Sequence, residues 1–238
     1  MKDENVGQKV ALVAGGFGGI GSAAAEGLSR GGFLVARASR NVPDKESLAI
    51  DVTDESSVDM AIKDLYAKHG RLDCVVYSVT SKIENKKFAK LSWQEFQSNI
   101  ESQAKGFRNL VKSVLRLDQS LSIQVRFVVV LTEYCHGKPP SMLSHYITAK
   151  YALMGLVKSL AAELGGKRMT FNTVSPGITQ TSLIENLPPK MIEFAIERNP
   201  MGRICMPADV TGAICFLASD EAAFINGADI LLNGGNQF

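Results

Sequence analysis

An apolar run, Val10 to Val13, opens into the glycine-dense turn Ala14-Gly15-Gly16-Phe17-Gly18-Gly19-Ile20-Gly21 and then into Ser22-Ala23-Ala24-Ala25-Glu26-Gly27-Leu28. Ala and Leu dominate the last stretch, so the order reads strand, turn, helix. A strand feeding a helix directly is the unit from which alternating α/β sheets are built, and this constrains the fold more than any other segment. Glycine reaches backbone angles closed to other residues and lets a phosphate approach the main chain, while unpaired amides at the helix start attract a pyrophosphate. Two fingerprints overlap here. Gly16, Gly18 and Gly21 fit G-x-G-x-x-G, whereas Gly15, Gly19 and Gly21 fit G-x-x-x-G-x-G. Spacing alone does not choose between them, and a tight turn without a ligand is the competing reading.

Apolar runs recur at residues 9–14, 33–38, 48–50, 74–77, 125–131, 170–174 and 229–232, alternating with helical periodicity at 58–68, 93–117, 146–164 and 209–217. This predicts an α/β fold: a Rossmann-like, doubly wound parallel sheet of about seven strands with helices on both faces. Uninterrupted runs such as Phe127-Val128-Val129-Val130-Leu131 suit strands covered on both sides. Asp54 with Ser57 and Ser92 with Glu95 look like helix starts, the second a capping box. In such sheets ligands bind beyond the carboxyl ends of the strands, which singles out Gly15, Ser39, Ser78, Thr132 and Ser175.

With 238 residues, 45% of them apolar, and no Pro/Ser-rich linker, residues 1–238 read as one domain. The formal charge of +2 comes from scattered basic residues, so nucleic acid and membrane surfaces are not expected partners; residues 82–90 are locally basic and read as a solvated loop. No stretch approaches a membrane span, and the polar residues 1–9 lead straight into the first strand without a cleavable signal, which predicts a cytoplasmic protein. Cys74, Cys135, Cys205 and Cys215 lack C-x-x-C spacing, and His69, His136 and His145 lack an HExxH-like arrangement. Neither disulfides nor a metal site is expected.

The second apolar run ends Ala38-Ser39-Arg40-Asn41, where NAD-binding units commonly carry an acid for the ribose hydroxyls. An arginine at Arg40 can pair with a 2′-phosphate, which a carboxylate would repel, so NADP(H) is the expected cofactor. Far downstream, Tyr146-Ile147-Thr148-Ala149-Lys150 puts a phenol and an amine four residues apart, on one helix face. A nearby ammonium favours the phenolate and lowers the phenol's pKa from about 10, which would make Tyr146 a usable acid.

Together these residues resemble the short-chain dehydrogenase/reductase family, and the likeness covers essentially the whole chain. The turn is similar to its T-G-x-x-x-G-I-G, with Ala14 for threonine, which selects Gly15, Gly19 and Gly21 and adds Phe17, Gly18 and Ile20 as cofactor contacts. Asp51-Val52 resembles the adenine-contacting pair, Asn99 the active-site asparagine, and Tyr146 with Lys150 the Y-x-x-x-K pair. Ser175-Pro176-Gly177-Ile178-Thr179-Gln180-Thr181 resembles the P-G-x-x-x-T segment near the nicotinamide, implying contacts from Pro176, Gly177, Ile178 and Thr181; Ser39, Arg40 and Ser78 complete the expected cofactor seat. The stretch from Phe216 through Gly227 to Gly234-Gly235 also resembles the family's ending. The resemblance implies hydride delivery to a carbonyl carbon, with Tyr146 protonating its oxygen. Lys150 would hold the nicotinamide ribose and Asn99 would position a relay water. It further implies a homotetramer or homodimer built through helices 93–117 and 146–164.

Three departures stand out. Tyr77-Ser78-Val79-Thr80 replaces the family's N-N-A-G. The substrate-orienting serine, thirteen residues before the tyrosine, is Glu133 here; Thr132 beside it can donate to a carbonyl oxygen as serine does, and we assign it that role with Glu133 as the alternative occupant. Asn233 stands where aspartate is usual. The expected function is therefore NADPH-dependent reduction of a small-molecule ketone to a secondary alcohol, with a catalytically weak or inactive NADP(H)-binding subunit that supports a partner protein as the alternative. Residues 179–205, with Pro188-Pro189, Met191, Phe194 and Met201, are the expected substrate cover.

Overall fold

Seven apolar runs form seven strands, because only strands buried on both faces have no need of alternating polar residues. In the computed structural model these are β1 (Val10–Ala14), β2 (Leu34–Ser39), β3 (Leu48–Ala49), β4 (Cys74–Tyr77), β5 (Val125–Val130), β6 (Met169–Pro176) and β7 (Asp229–Leu232). The structure describes residues 7–44, 47–81, 83–117, 124–185 and 187–237; residues 1–6 of the polar opening stretch and Lys82 of the basic loop lie outside them. The strands form one parallel sheet in the order β3-β2-β1-β4-β5-β6-β7. Every residue of β1, β4, β5 and β6 is buried, whereas β7, at the sheet edge, is half-buried throughout.

Helices α1 (Gly19–Arg30) and α7 (Pro207–Ala218) cover one face, burying Ala24, Leu28, Val210, Ile214 and Leu217. Gly27 lets them approach closely: a Cβ there would lie 2.2 Å from Thr211 Cγ2. The other face carries α2 (Glu55–His69), α4 (Gly106–Leu117) and α5 (Ser144–Leu164), with Val58, Ile62, Leu110, Val114, Leu153 and Val157 in the core. Asp54 caps α2 by accepting from the Ser56 amide. Ser92 and Glu95 form the capping box that starts α3 (Trp93–Ile100).

The single helix expected over 93–117 is interrupted. Between α3 and α4 lies one π-helical turn, Glu101–Lys105. Such a turn accommodates one extra residue and frees a main-chain carbonyl for an outside donor. Here the donor is the Tyr77 hydroxyl at the end of β4, which bonds the Ser102 carbonyl. The Gln103 amide donates to the Val79 carbonyl at 2.9 Å, joining the same two segments. Residues 179–205 follow β6 as an excursion closed by an isolated parallel bridge between Thr179 and Cys205, carrying α6 (Pro189–Arg198), which buries no residue fully.

Candidate active site

The strand order reverses between β1 and β4, and a crevice opens where they diverge. A cleft of about 1060 Å³ occupies it, running from Arg40 past Gly15 and Ser78 to Tyr146 and Leu187. The glycine turn forms its floor. Gly15 has φ +78°, and a Cβ there would lie 2.5 Å from the Ser78 carbonyl oxygen. A Cβ on Gly21 would meet the Gly15 carbonyl oxygen at 2.1 Å, so this glycine serves the packing of turn against helix and does not line the cleft. Gly18 caps α1 with no side-chain hydrogen bond, and no acidic residue sits in the first turn. That leaves amides and the positive end of the helix open to an anion.

Gly15, Gly18, Gly19, Ile20, Ser39, Arg40, Asp51, Val52, Ser78, Pro176, Gly177, Ile178 and Thr181 all line the cleft. Gly19 and Thr181 pack so closely that a Cβ on the glycine would lie 2.4 Å from Thr181 Cγ2, which brings the two expected dinucleotide-holding segments together across the cleft. Phe17 departs from expectation: it does not line the cleft, and the Arg37 guanidinium sits 5.9 Å from its ring centroid. Arg40 is exposed at the cleft's rim. Burial raises the Asp51 carboxyl, but hydrogen bonds from the Thr53 hydroxyl and amide, with the Arg40 and Lys105 charges, outweigh it and hold the group below its usual range. The cradle fits a dinucleotide: side-chain-free backbone, open helix amides and a cation at one end.

At the other end α5 presents Tyr146 and Lys150 on one face, both buried. Lys150 Nζ lies 5.8 Å from the Tyr146 ring centroid and donates to the Val130 carbonyl at 2.9 Å. Burial pushes the Lys150 amine down to about 8. Burial likewise raises the Tyr146 phenol well above its ordinary value, against a hydrogen bond with Thr132 that lowers it. The lowering of the phenol expected from the Tyr146–Lys150 spacing is not what this site shows: desolvation of the anion dominates and raises it.

The loop after β5 separates its two neighbouring residues. Thr132 lines the cleft beside Tyr146, whereas the Glu133 carboxylate turns away and accepts from Asn236 Nδ2 at 3.0 Å. Asn99 also departs from expectation. Its carboxamide donates to the Glu95 carbonyl at 2.9 Å and does not line the cleft; Ser98, Glu101 and Ser102 do. The π turn begins two residues beyond Asn99. Ser81 Oγ donates to Ser102 Oγ at 3.0 Å.

The substrate end is walled by Ile83, Tyr134, Leu143, Leu183, Leu187 and Met191. Of the expected cover, Met191 reaches the cleft and Pro188-Pro189 start α6, while Phe194 and Met201 are largely exposed. Tyr134, Leu143 and Ser102 escaped the sequence reading, although Tyr134 lies only two residues beyond Thr132. Among the described residues no group of three or more His, Cys, Asp or Glu side chains is arranged to hold a metal, and no helix is long and apolar enough to cross a membrane.

Comparison with known proteins agrees with this geometry. The chain is 30% identical to the 3-oxoacyl-[acyl-carrier-protein] reductase of Haemophilus influenzae, over 95% of this chain and 97% of that protein. It is 28% identical to the acetoacetyl-CoA reductase of Cupriavidus necator, over 96% and 98% respectively. Among solved structures, it superposes on the Thermoplasma acidophilum aldohexose dehydrogenase with a TM-score of 0.87 at 27% identity, covering 96% of this chain and 95% of that one. A 3-ketoacyl-(acyl-carrier-protein) reductase from Brucella melitensis, complexed with NADH, shares the fold at a TM-score of 0.88 and 22% identity, covering 97% of this chain and 98% of that one. A family model described as enoyl-(acyl carrier protein) reductase matches residues 16–237, and with it the chain belongs to the short-chain dehydrogenase/reductase family of oxidoreductases.

Proposed function

We propose that this protein reduces a ketone to a secondary alcohol with NADPH, Tyr146 donating the proton. The observation that carries the reading is the meeting of buried Tyr146, buried Lys150 and Thr132 at the end of a cleft floored by the glycine turn. A bound nicotinamide supplies the hydride to the carbonyl carbon. Thr132 and Tyr146 would donate to the carbonyl oxygen, and the proton passes from Tyr146 as negative charge builds there. Lys150 would hold the nicotinamide ribose. The glycine turn and Thr181 would hold the pyrophosphate, Asp51 and Val52 the adenine, and Arg40 a 2′-phosphate. Asn99 has no part in this proposal.

The apolar wall of Ile83, Leu143, Leu183, Leu187 and Met191 suits a substrate with a hydrocarbon portion. Similarity to 3-oxoacyl and acetoacetyl-CoA reductases makes β-ketoacyl thioesters the first compounds to test. The weak-subunit alternative drew on Glu133 and on Tyr77–Thr80, yet Glu133 leaves the cleft to Thr132 and Tyr77 is seated on the π turn. Self-association through α3, α4 and α5 in the cytoplasm completes the proposal, supported by Trp93, 72% exposed at the start of α3, and by the exposed Tyr151 on α5.

The test is oxidation of NADPH, with NADH alongside, by the purified protein over acetoacetyl-CoA, other β-ketoacyl thioesters and simple ketones. Turnover with NADPH preferred is expected. Cofactor binding without consumption across the whole panel would return the weak-subunit reading.

A further inference from the structure

Glu133 is a buried carboxylate, 2% exposed, one residue from Thr132 and outside the cleft. A carboxylate is costly to bury unless donors meet it, so what meets it shows what it does. Its Oε2 accepts from Asn236 Nδ2 at 3.0 Å, and its main-chain carbonyl accepts from Gln237 Nε2 at 2.8 Å and from the His136 amide at 2.9 Å. The Gln237 amide also packs against Gly137, where a Cβ would be 2.0 Å from Gln237 Oε1. Glu133 Oε1 lies against Gly177, which lines the cleft: a Cβ on that glycine would be 3.3 Å from the oxygen.

The segment that supplies these donors is held in turn. Asn233 Nδ2 donates to the Gln237 carbonyl at 2.8 Å and Asn233 Oδ1 accepts from the Gly235 amide at 3.1 Å, fixing residues 233–237 as a compact turn. Asn199, at the end of α6, donates to the Asn233 carbonyl at 2.9 Å. A chain of amides thus runs from the substrate cover through residues 233–237 to the back of the loop that carries Thr132.

We propose that Glu133 is a positioning residue: clamped by Asn236 and Gln237, it fixes the loop so that the Thr132 hydroxyl meets Tyr146. The residue that replaces the family's serine therefore serves the same reaction from behind the cleft, and Asn233, where aspartate is usual, belongs to the device. The inference rests on the proposed reduction.

Two measurements on the full-length protein test it. Steady-state kinetics with acetoacetyl-CoA and NADPH are expected to show kcat lowered roughly 10- to 100-fold in Glu133→Ala and in Gln237→Ala, with KM for NADPH nearly unchanged, because a small misplacement of a donor acts on the transition state. Glu133→Gln, which keeps an acceptor for Asn236, should recover most of the loss. Glu133→Ala combined with Gln237→Ala should be no worse than the more severe single variant, since both release one loop. Independently of turnover, the Thr132 methyl resonance, assigned through Thr132→Ser in methyl-labelled protein, should shift or broaden in both alanine variants and return in Glu133→Gln. Unchanged kcat in both alanine variants, or an unmoved Thr132 resonance, overturns the positioning role. If wild-type protein reduces no carbonyl compound while the resonance moves as stated, the reaction assigned to the site fails and the clamp stands. Should Glu133→Ala not fold, Gln237→Ala carries both readouts.

Discussion

The Tyr77 hydroxyl donates to the Ser102 carbonyl, tying the end of β4 to the π turn between α3 and α4. Tyr77 stands where the resembled family has asparagine, and its ring packs on Phe107 with centroids 5.4 Å apart. The long helix makes room for it twice. It widens at the π turn, and it places Gly106 where a Cβ would lie 2.4 Å from the Tyr77 hydroxyl and 2.7 Å from Val52 Cγ2.

Tyr77→Phe keeps the ring and removes the donor to the carbonyl of buried Ser102. A loss of about 1–3 kcal/mol is expected in urea denaturation. Gly106→Ala should also destabilise, and less so when combined with Tyr77→Phe, because one of its two close contacts has gone. Strict additivity of the two would show that hydroxyl and glycine are not in contact.

Lys150 gives the fold a pH dependence of known sign. Burial pushes its amine down to about 8, against an ordinary value of 10.5, so the unfolded chain binds its proton more tightly than the native one. Between those values the unfolded state holds more protons, and the stability attributable to Lys150 rises with pH. Below the window the native state carries the full cost of burying the cation. Denaturation of wild type and Lys150→Met at pH 7, 9 and 10.5 should show the difference moving in favour of wild type as pH increases. A constant difference would mean that the amine titrates equally in both states.

Arg40 is assigned the 2′-phosphate by its place at the cleft rim, beside Ser39 and Asn41. A charge-assisted hydrogen bond of about 1.5–3 kcal/mol corresponds to roughly 10- to 100-fold in affinity. Arg40→Ala should raise KM for NADPH by that factor and leave KM for NADH nearly unchanged. Equal effects on both cofactors would place the arginine elsewhere.

The sheet was legible because its strands are buried on both faces and read as apolar runs; all seven strands lie where those runs lie, within a residue or two at most ends. Much of the cleft was legible as well: Tyr146 and Lys150 from their spacing on one helix face, and Gly15, Gly19 and Thr181 from the family resemblance. What stayed hidden depends on contacts between distant segments. The π turn is tied to Tyr77 on a distant strand, so nothing local announces that Asn99 bonds its own helix and Ser102 lines the cleft. Spacing puts Glu133 at the serine's position, and only its contacts with Asn236 and Gln237, about a hundred residues away in sequence, explain why its side chain leaves the cleft to Thr132. Helix α6 lies within the expected substrate cover, where Pro188-Pro189 reads as a break in the chain although a proline in the first turn also suits a helix start.

Proton donation by Tyr146 is the step on which the proposed reaction depends. The most direct measurement compares wild type with Tyr146→Phe, following NADPH oxidation with acetoacetyl-CoA as substrate and NADPH binding by fluorescence titration. The expected result is kcat lowered roughly 10²- to 10⁴-fold with NADPH affinity within about twofold of wild type, the signature of a lost general acid. Turnover retained in Tyr146→Phe, with cofactor binding intact, would contradict it.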